Sequence, residues 1–131
     1  METATATKTA SLYERLGGAQ GISVLVDEIV ELHMNNPAIK ARFLPQKDDL
    51  AHLAQVKQHT CNFLGAGSGG PEQYKGRSMK EAHRGMNVSE AEYMAAVDDI
   101  LAALQKHGVD EQSQKDVLAI AYSLKADIIR V

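Results

Sequence analysis

The chain has 131 residues, a formal net charge of −3 and one cysteine. This length suits a single domain with its own core, and the charge argues against a basic surface for nucleic acid or anionic membranes. One cysteine excludes an internal disulfide, and no apolar run reaches the roughly 18 residues that span a bilayer. We therefore expect a soluble, cytoplasmic monomer.

The amino-terminal residues predict a tail followed by a short helix. Residues 1–10 lack hydrophobic periodicity and are expected to form a flexible tail, which leaves one domain at residues 11–131. Ser11 to Leu16 predicts a short helix, and the Gly17-Gly18 pair ends it.

A long helix is predicted next, from Gln20 to about Asn35. Its apolar residues keep helical spacing, namely Ile22, Val24, Leu25, Val26, Ile29, Val30 and Leu32. Pro37 follows its end, and Ala38 to Leu44 can make one more short helical turn.

A further helix is predicted after the acidic segment Lys47-Asp48-Asp49, and it continues through Leu64. Its apolar positions recur at steps of three and four, at Leu50, Leu53, Val56, Thr60, Phe63 and Leu64. The segment from Gly65 to Gly76 contains five glycines and predicts an irregular connection. Connections of this length often have a function.

Two capped helices complete the chain. Ser89 and Glu92 form a capping box before a helix that ends near Gly108, and Asp110 caps a final helix. The expected inward residues are Tyr93, Met94, Val97, Ile100, Leu101 and Leu104 in the first, and Val117, Leu118, Ala121, Leu124 and Ile128 in the second. No segment alternates like a strand, so the predicted fold class is all-α.

The segment from Tyr74 to Met86 is the best candidate for a functional site. Gly76 permits a tight turn, Ser78 can cap a short helix, and His83 then lies about one and a half turns into that helix. The surroundings of His83 are polar and poorly periodic, so packing in the core explains it badly. A neutral imidazole in this setting can ligate a metal.

The run from Tyr74 to His83, Tyr-x-Gly-Arg-x-Met-x-x-Ala-His, closely resembles the truncated (2/2) globins, nearest to their first group. Phe43, the Gly17-Gly18 pair and the Gly69-Gly70-Pro71 turn extend the resemblance, which covers about Ser11 to Ile129. It implies a 2-over-2 α-helical sandwich around haem b, with His83 as the proximal iron ligand. It also implies diatomic gases, O2, NO or CO, as ligands.

His59 is the second candidate ligand. It lies one helical turn from both Val56 and Phe63, so it points to the same side of the helix. The resemblance aligns it with the distal ligand of cyanobacterial-type members, which predicts bis-histidyl iron when no gas is bound. Two alternatives stay open for His59, lining the distal pocket without ligation or a surface role. Gln58 takes the distal space if the register slips by one.

The resemblance also implies contacts with the cofactor. The expected cofactor-binding residues are Phe43, Val56, Lys57, Phe63, Tyr74, Arg77, Met79 and Lys80. Among them, Tyr74, Arg77 and Lys80 face the propionates or form a solvated loop, and Lys57 reaches a propionate or solvent. His33, His52 and His107 are expected to be structural or exposed, and Cys61 is expected to be a small core residue.

The expected ligand pocket contains Val30, Gln58 and Thr60 and departs from the family pattern. Val30 stands where many truncated globins have a tyrosine, and Val56 and Thr60 stand where glutamines are common. The polar clamp on bound oxygen is therefore missing. Reversible gas binding is the predicted function. The alternatives are a haem enzyme that dioxygenates nitric oxide with an external reductase or handles peroxide, and a haem-free globin-like sensor or interaction domain.

Overall fold

The computed structural model describes residues 10–131, apart from the side chain of Gln46. Within this range it contains seven α-helices, one 3-10 helix and no strand. The helices are α1 Leu12–Arg15, α2 Gly18–Asn35, α3 Lys40–Phe43, the 3-10 helix Leu44–Asp48, α4 Leu50–Gly67, α5 Met79–His83, α6 Glu90–Lys106 and α7 Glu111–Ile128. The predicted all-α class is confirmed. The expected tail lies outside the described residues, except for Ala10.

Side-chain caps fix where most helices begin. Ser78, Ser89 and Asp110 each accept a hydrogen bond from a backbone N–H in the first turn of α5, α6 and α7. The capping box of Ser89 with Glu92 is present. These starts were predicted correctly, because a cap and its partner lie within three residues of each other.

A sharp turn between α1 and α2 depends on glycine. Gly17 and Gly18 have φ angles of +97° and +67°, which side chains other than glycine rarely adopt. A methyl group at Gly21 would lie 2.2 Å from the carbonyl oxygen of Leu16. The chain therefore folds back closely enough for α1 to pack on α2.

Helix α2 is the central element, since it packs against both α4 and α6, and α7 packs against α5 and α6. Two apolar clusters result. The first contains Leu16, Ile22, Leu25, Val26, Val30, Met34, Leu104 and Val117, and the second contains Val88, Tyr93, Val97, Ala121 and Ile128. Among the described helices, none is long and apolar enough to cross a membrane.

Three residues predicted on apolar faces are exposed, and those predictions were wrong. The exposed fractions are 42% for Val24, 73% for Leu50 and 50% for Met94. Leu50 begins α4, whose first half is mostly exposed while the half from His59 to Gly65 is covered. Helical spacing identifies a face but not how much of the helix length another helix covers.

Cys61 lies in the covered half of α4. It is half-buried and packs against the first apolar cluster, as expected for a small core residue. Burial raises the pKa of its thiol above the usual value, and the carboxylates of Asp27 and Glu72 raise it further.

Candidate functional site

An apolar cavity of about 320 Å³ lies among the helices, and its wall includes residues from both apolar clusters. All but six of its lining residues are apolar. The six are His33, Arg42, Thr60, His83, Glu92 and Tyr93. A cavity of this volume with few polar groups is typical of a cofactor or small-molecule site.

His83 lies on the cavity wall at the end of α5. The Ser78 hydroxyl caps this five-residue helix by accepting from the Glu81 N–H at 3.2 Å. The Nδ1 atom of His83 lies 2.8 Å from the Met79 carbonyl oxygen. Because a carbonyl can only accept, Nδ1 carries the proton, and Nε2 of the neutral ring is left free to ligate a metal.

Three more of the predicted cofactor-binding residues lie on the same wall, namely Phe43, Phe63 and Met79. Thr60, predicted for the ligand pocket, lies there as well, and its hydroxyl donates to the Val56 carbonyl oxygen at 2.8 Å. The structure thus brings residues of α3, α4 and α5 together around one space. These helices lie far apart in the sequence, and only the family resemblance had assigned their residues to one site.

His59 does not line the cavity, although its neighbours Thr60 and Phe63 do. Its ring packs edge-on against Tyr74, with centroids 6.0 Å apart, and Tyr74 also packs edge-on against Phe63 at 5.2 Å. The Tyr74 hydroxyl donates to the Arg77 carbonyl oxygen. Tyr74 therefore holds the His59 ring beside the cavity wall.

Other predicted site residues also lie off the wall. Val30 is buried in the first apolar cluster, and its neighbour Ile29 lines the cavity instead. Val56 is half-buried, and the exposed Gln58 donates from its amide to Asn62 at 3.2 Å. Lys57 lies 3.2 Å from the Asp27 carboxylate. Arg77 and Lys80 are exposed, and they lie six and three residues before His83 in the chain.

His33, expected to be structural or exposed, is the cavity residue that the sequence did not single out as a site candidate. It is only 8% exposed, lines the cavity and packs against Phe43 with ring centroids 4.9 Å apart. Its Nδ1 atom lies 2.8 Å from Asp99 on α6. The sequence carried no signal for this pair, because no local pattern joins an aspartate at position 99 to a residue 66 positions away.

The two other histidines expected to be structural or exposed are so placed. His52 is exposed on α4, and Nε2 of His107 lies 3.4 Å from Glu28. In residues 10–131, no three His, Cys, Asp or Glu side chains group closely enough to hold a metal ion.

An ion pair joins two walls of the cavity. Arg42 on α3 contacts both carboxylate oxygens of Glu92 on α6, and it also donates to the Met86 carbonyl oxygen. The Arg42 guanidinium, together with the Ser89 backbone N–H, lowers the pKa of Glu92 from 4.5 to about 2. This carboxylate is therefore ionised and a poor base at neutral pH.

The donor set fits an iron porphyrin. His83 supplies one nitrogen to a mostly apolar space, which suits a metal that brings its remaining donors on an apolar macrocycle. Phe43 and Phe63 offer aromatic surface in the same cavity.

Comparisons with known proteins agree with this geometry. The model of the bacterial-like globin family matches residues 11–130. A group 1 truncated hemoglobin of Tetrahymena pyriformis is 30% identical over 122 residues, which cover 93% of this chain and 97% of that protein. One from Synechocystis sp. is 32% identical over 116 residues, which cover 86% and 90%.

Solved structures agree as well. An Fe(III) mutant form of the T. pyriformis truncated hemoglobin superposes with a TM-score of 0.84 at 25% identity, covering 93% of this chain and all of that one. The 2/2 hemoglobin of Synechococcus sp., in its cyanomet state with covalently attached heme, gives 0.81 at 25% identity, covering 92% and 98%. The expected 2-over-2 helical fold is confirmed. The chain therefore belongs to the bacterial-like globins, as a truncated haemoglobin of the group 1 type.

Proposed function

We propose that this chain binds haem b in the cavity through Nε2 of His83 and reversibly binds the diatomic gases O2, NO and CO. One observation carries the proposal: a histidine on the wall of an apolar cavity has its other ring nitrogen tied to a backbone carbonyl. That bond fixes the tautomer and the ring orientation that ligation requires. Membership of the globin family supports the same cofactor.

The chain's own residues would hold the group in defined ways. Phe43, Phe63 and Met79 supply apolar contact with the macrocycle. Arg77 and Lys80 supply positive charge for its carboxylates, while Tyr74 shapes the edge near them through its bond to the Arg77 carbonyl. Lys57 contributes less, because Asp27 already pairs with it. Bound haem supplies the iron on which gas ligands bind.

We assign His59 as a displaceable second ligand, which gives bis-histidyl iron in the gas-free protein. Its neighbours Thr60 and Phe63 on α4 line the cavity, and this supports the assignment. To ligate, the ring must exchange its edge contact with Tyr74 for the iron. The His59 ring would have to leave before a gas could bind, so the apparent gas affinity would be reduced in proportion to the fraction of open protein.

Polar contacts hold bound gas weakly in this proposal. Val30 has no hydroxyl, Gln58 bonds to Asn62, and the Thr60 hydroxyl is occupied by the Val56 carbonyl. A neutral hydrogen bond contributes on the order of 1 kcal/mol, so each missing donor changes affinity several-fold.

A haem enzyme is the second candidate function. The His33–Asp99 pair on the wall favours its peroxide form, because turnover on peroxide requires proton transfer. Sustained consumption of nitric oxide with an added reductase would select this candidate over reversible binding. For both candidate functions we propose a cytoplasmic location and a monomeric state.

The test is haem titration of the purified protein, followed by its Soret absorbance. We expect one haem per chain in the wild type, and loss of the normal spectrum in His83→Ala. The matched control is His52→Ala, which removes an exposed imidazole and should leave the spectrum unchanged. A haem-free protein, or equal spectra in His83→Ala and the wild type, would reject the proposal.

A further inference from the structure

Four of the six polar residues on the cavity wall already have a hydrogen-bond or ion-pair partner. The Tyr93 hydroxyl donates to the Ala121 carbonyl, and the Thr60 hydroxyl donates to that of Val56. Arg42 and Glu92 pair with each other. Only the two histidines, His33 and His83, keep a ring nitrogen that these wall contacts do not use.

The proton of His33 is fixed by its neighbours. Asp99 Oδ2 lies 2.8 Å from Nδ1, and the Asn36 amide donates to both oxygens of Asp99 at 3.1 Å. Both oxygens of this carboxyl group therefore act as acceptors. Nδ1 of His33 therefore carries a proton, which leaves Nε2 as the nitrogen that can accept one.

We propose that His33 is the base that takes the proton from small weak acids entering the cavity, with hydrogen cyanide as the model and hydrogen sulfide in the same class. The bond between hydrogen and the ligand breaks, and a new N–H bond forms at Nε2. The ligand keeps the electron pair and leaves as an anion for ferric iron, so no oxidant or reductant takes part. The proposal rests on the haem function proposed above.

The apolar wall explains why such a base is needed. A neutral acid enters an apolar cavity more readily than its anion does, because burial of a charge is costly. Its proton must then be accepted inside the cavity. Asp99 stabilises the imidazolium that forms, since an opposite charge in contact favours the charged ring.

A purely structural role for His33 is the competing explanation, because the Asp99 contact also ties α2 to α6. The two roles differ in which ligands they affect. A base acts on hydrogen cyanide, which has a proton to lose, and has no effect on carbon monoxide, which has none. Structural damage to the cavity alters the entry of both.

The experiment compares cyanide association with the ferric protein and carbon monoxide association with the ferrous protein by stopped flow at pH 7. We expect His33→Leu to slow cyanide by about tenfold or more and carbon monoxide by less than about twofold. Asp99→Asn should slow cyanide selectively as well. The matched control, His52→Leu, should change neither rate. Equal slowing of both ligands, or no slowing of cyanide, overturns the proposal.

A second measurement uses the wild-type protein, so it does not require any variant to fold. Nitrogen NMR of the ferrous carbon monoxide form should find His33 protonated at Nδ1 and free at Nε2. A proton on Nε2 in the neutral ring would overturn the proposal. Failure of haem binding is read separately, from the Soret band, and would reject the haem function together with this inference.

Discussion

At the scale of single residues, the two histidines on the cavity wall differ in how well the sequence identified them. His83 lies on the wall in a motif that is contiguous in the chain, so the sequence was enough to single it out. His33 lies there because α2 and α6 pack together, which brings Asp99 to it. The sequence could not predict this contact, since neither residue belongs to a local pattern.

Replacement of His59 tests the second ligand at this scale. In His59→Leu we expect the gas-free ferrous protein to change from a low-spin to a high-spin spectrum, because the displaceable imidazole is gone. Carbon monoxide should enter faster, since no ring must leave first. Visible spectra and flash photolysis measure both effects. A high-spin wild type at pH 7 that His59→Leu does not change would remove His59 from the ligands.

At the scale of elements, the sequence predicted the helix caps but not which parts of each helix its neighbours bury. Ser78, Ser89 and Asp110 bond within the first turn that they begin, so the sequence contains both partners. Leu50 and Met94 are exposed, because the helices that pack on α4 and α6 do not cover them. Periodicity alone therefore located the helices better than it located the core.

The cap of α5 should matter for the cofactor, because this short helix orients His83. Ser78→Ala removes the bond to the Glu81 N–H and should cost about 1 kcal/mol of helix stability. We expect haem to transfer several-fold faster to an acceptor globin. Ser123→Ala is the control, since that exposed hydroxyl bonds only to the Ile120 carbonyl among the described residues. Equal transfer rates in both variants would mean that the cap does not orient the ligand.

Because of the ion pair between α3 and α6, the free energy of unfolding should depend on pH in the acidic range. The pKa of Glu92 is lowered from 4.5 to about 2, so its contribution is full above pH 4.5 and is lost as the pH falls towards 2. Its side chain is 24% exposed, so solvent screening limits the contribution to about 1–2 kcal/mol.

In Glu92→Gln, the free energy of unfolding should therefore fall less steeply between pH 4.5 and 2 than in the wild type. Urea unfolding at several pH values measures the slope. The exposed Glu90, two residues earlier in the same helix, supplies a control as Glu90→Gln. A wild-type slope in Glu92→Gln would contradict the prediction.

At the scale of the whole molecule, the helices surround a cavity that the apolar clusters do not fill. Such a protein should gain stability from its cofactor, because haem binds the folded state alone. At a free haem concentration about 100 times Kd, the gain is about 2.7 kcal/mol. Thermal unfolding with and without haem measures it. The wild type should gain more than His83→Ala, and equal gains would show that His83 does not hold the cofactor.

The raised pKa of Cys61 gives the molecule an internal reporter. A half-buried thiol with a raised pKa reacts slowly with alkylating reagents, so an opening of α4 should speed its modification in the folded chain. The same helix carries Thr60 and Phe63 on the cavity wall. The labelling rate of this single native thiol should therefore rise when that wall of the pocket opens, and it can be measured without any substitution.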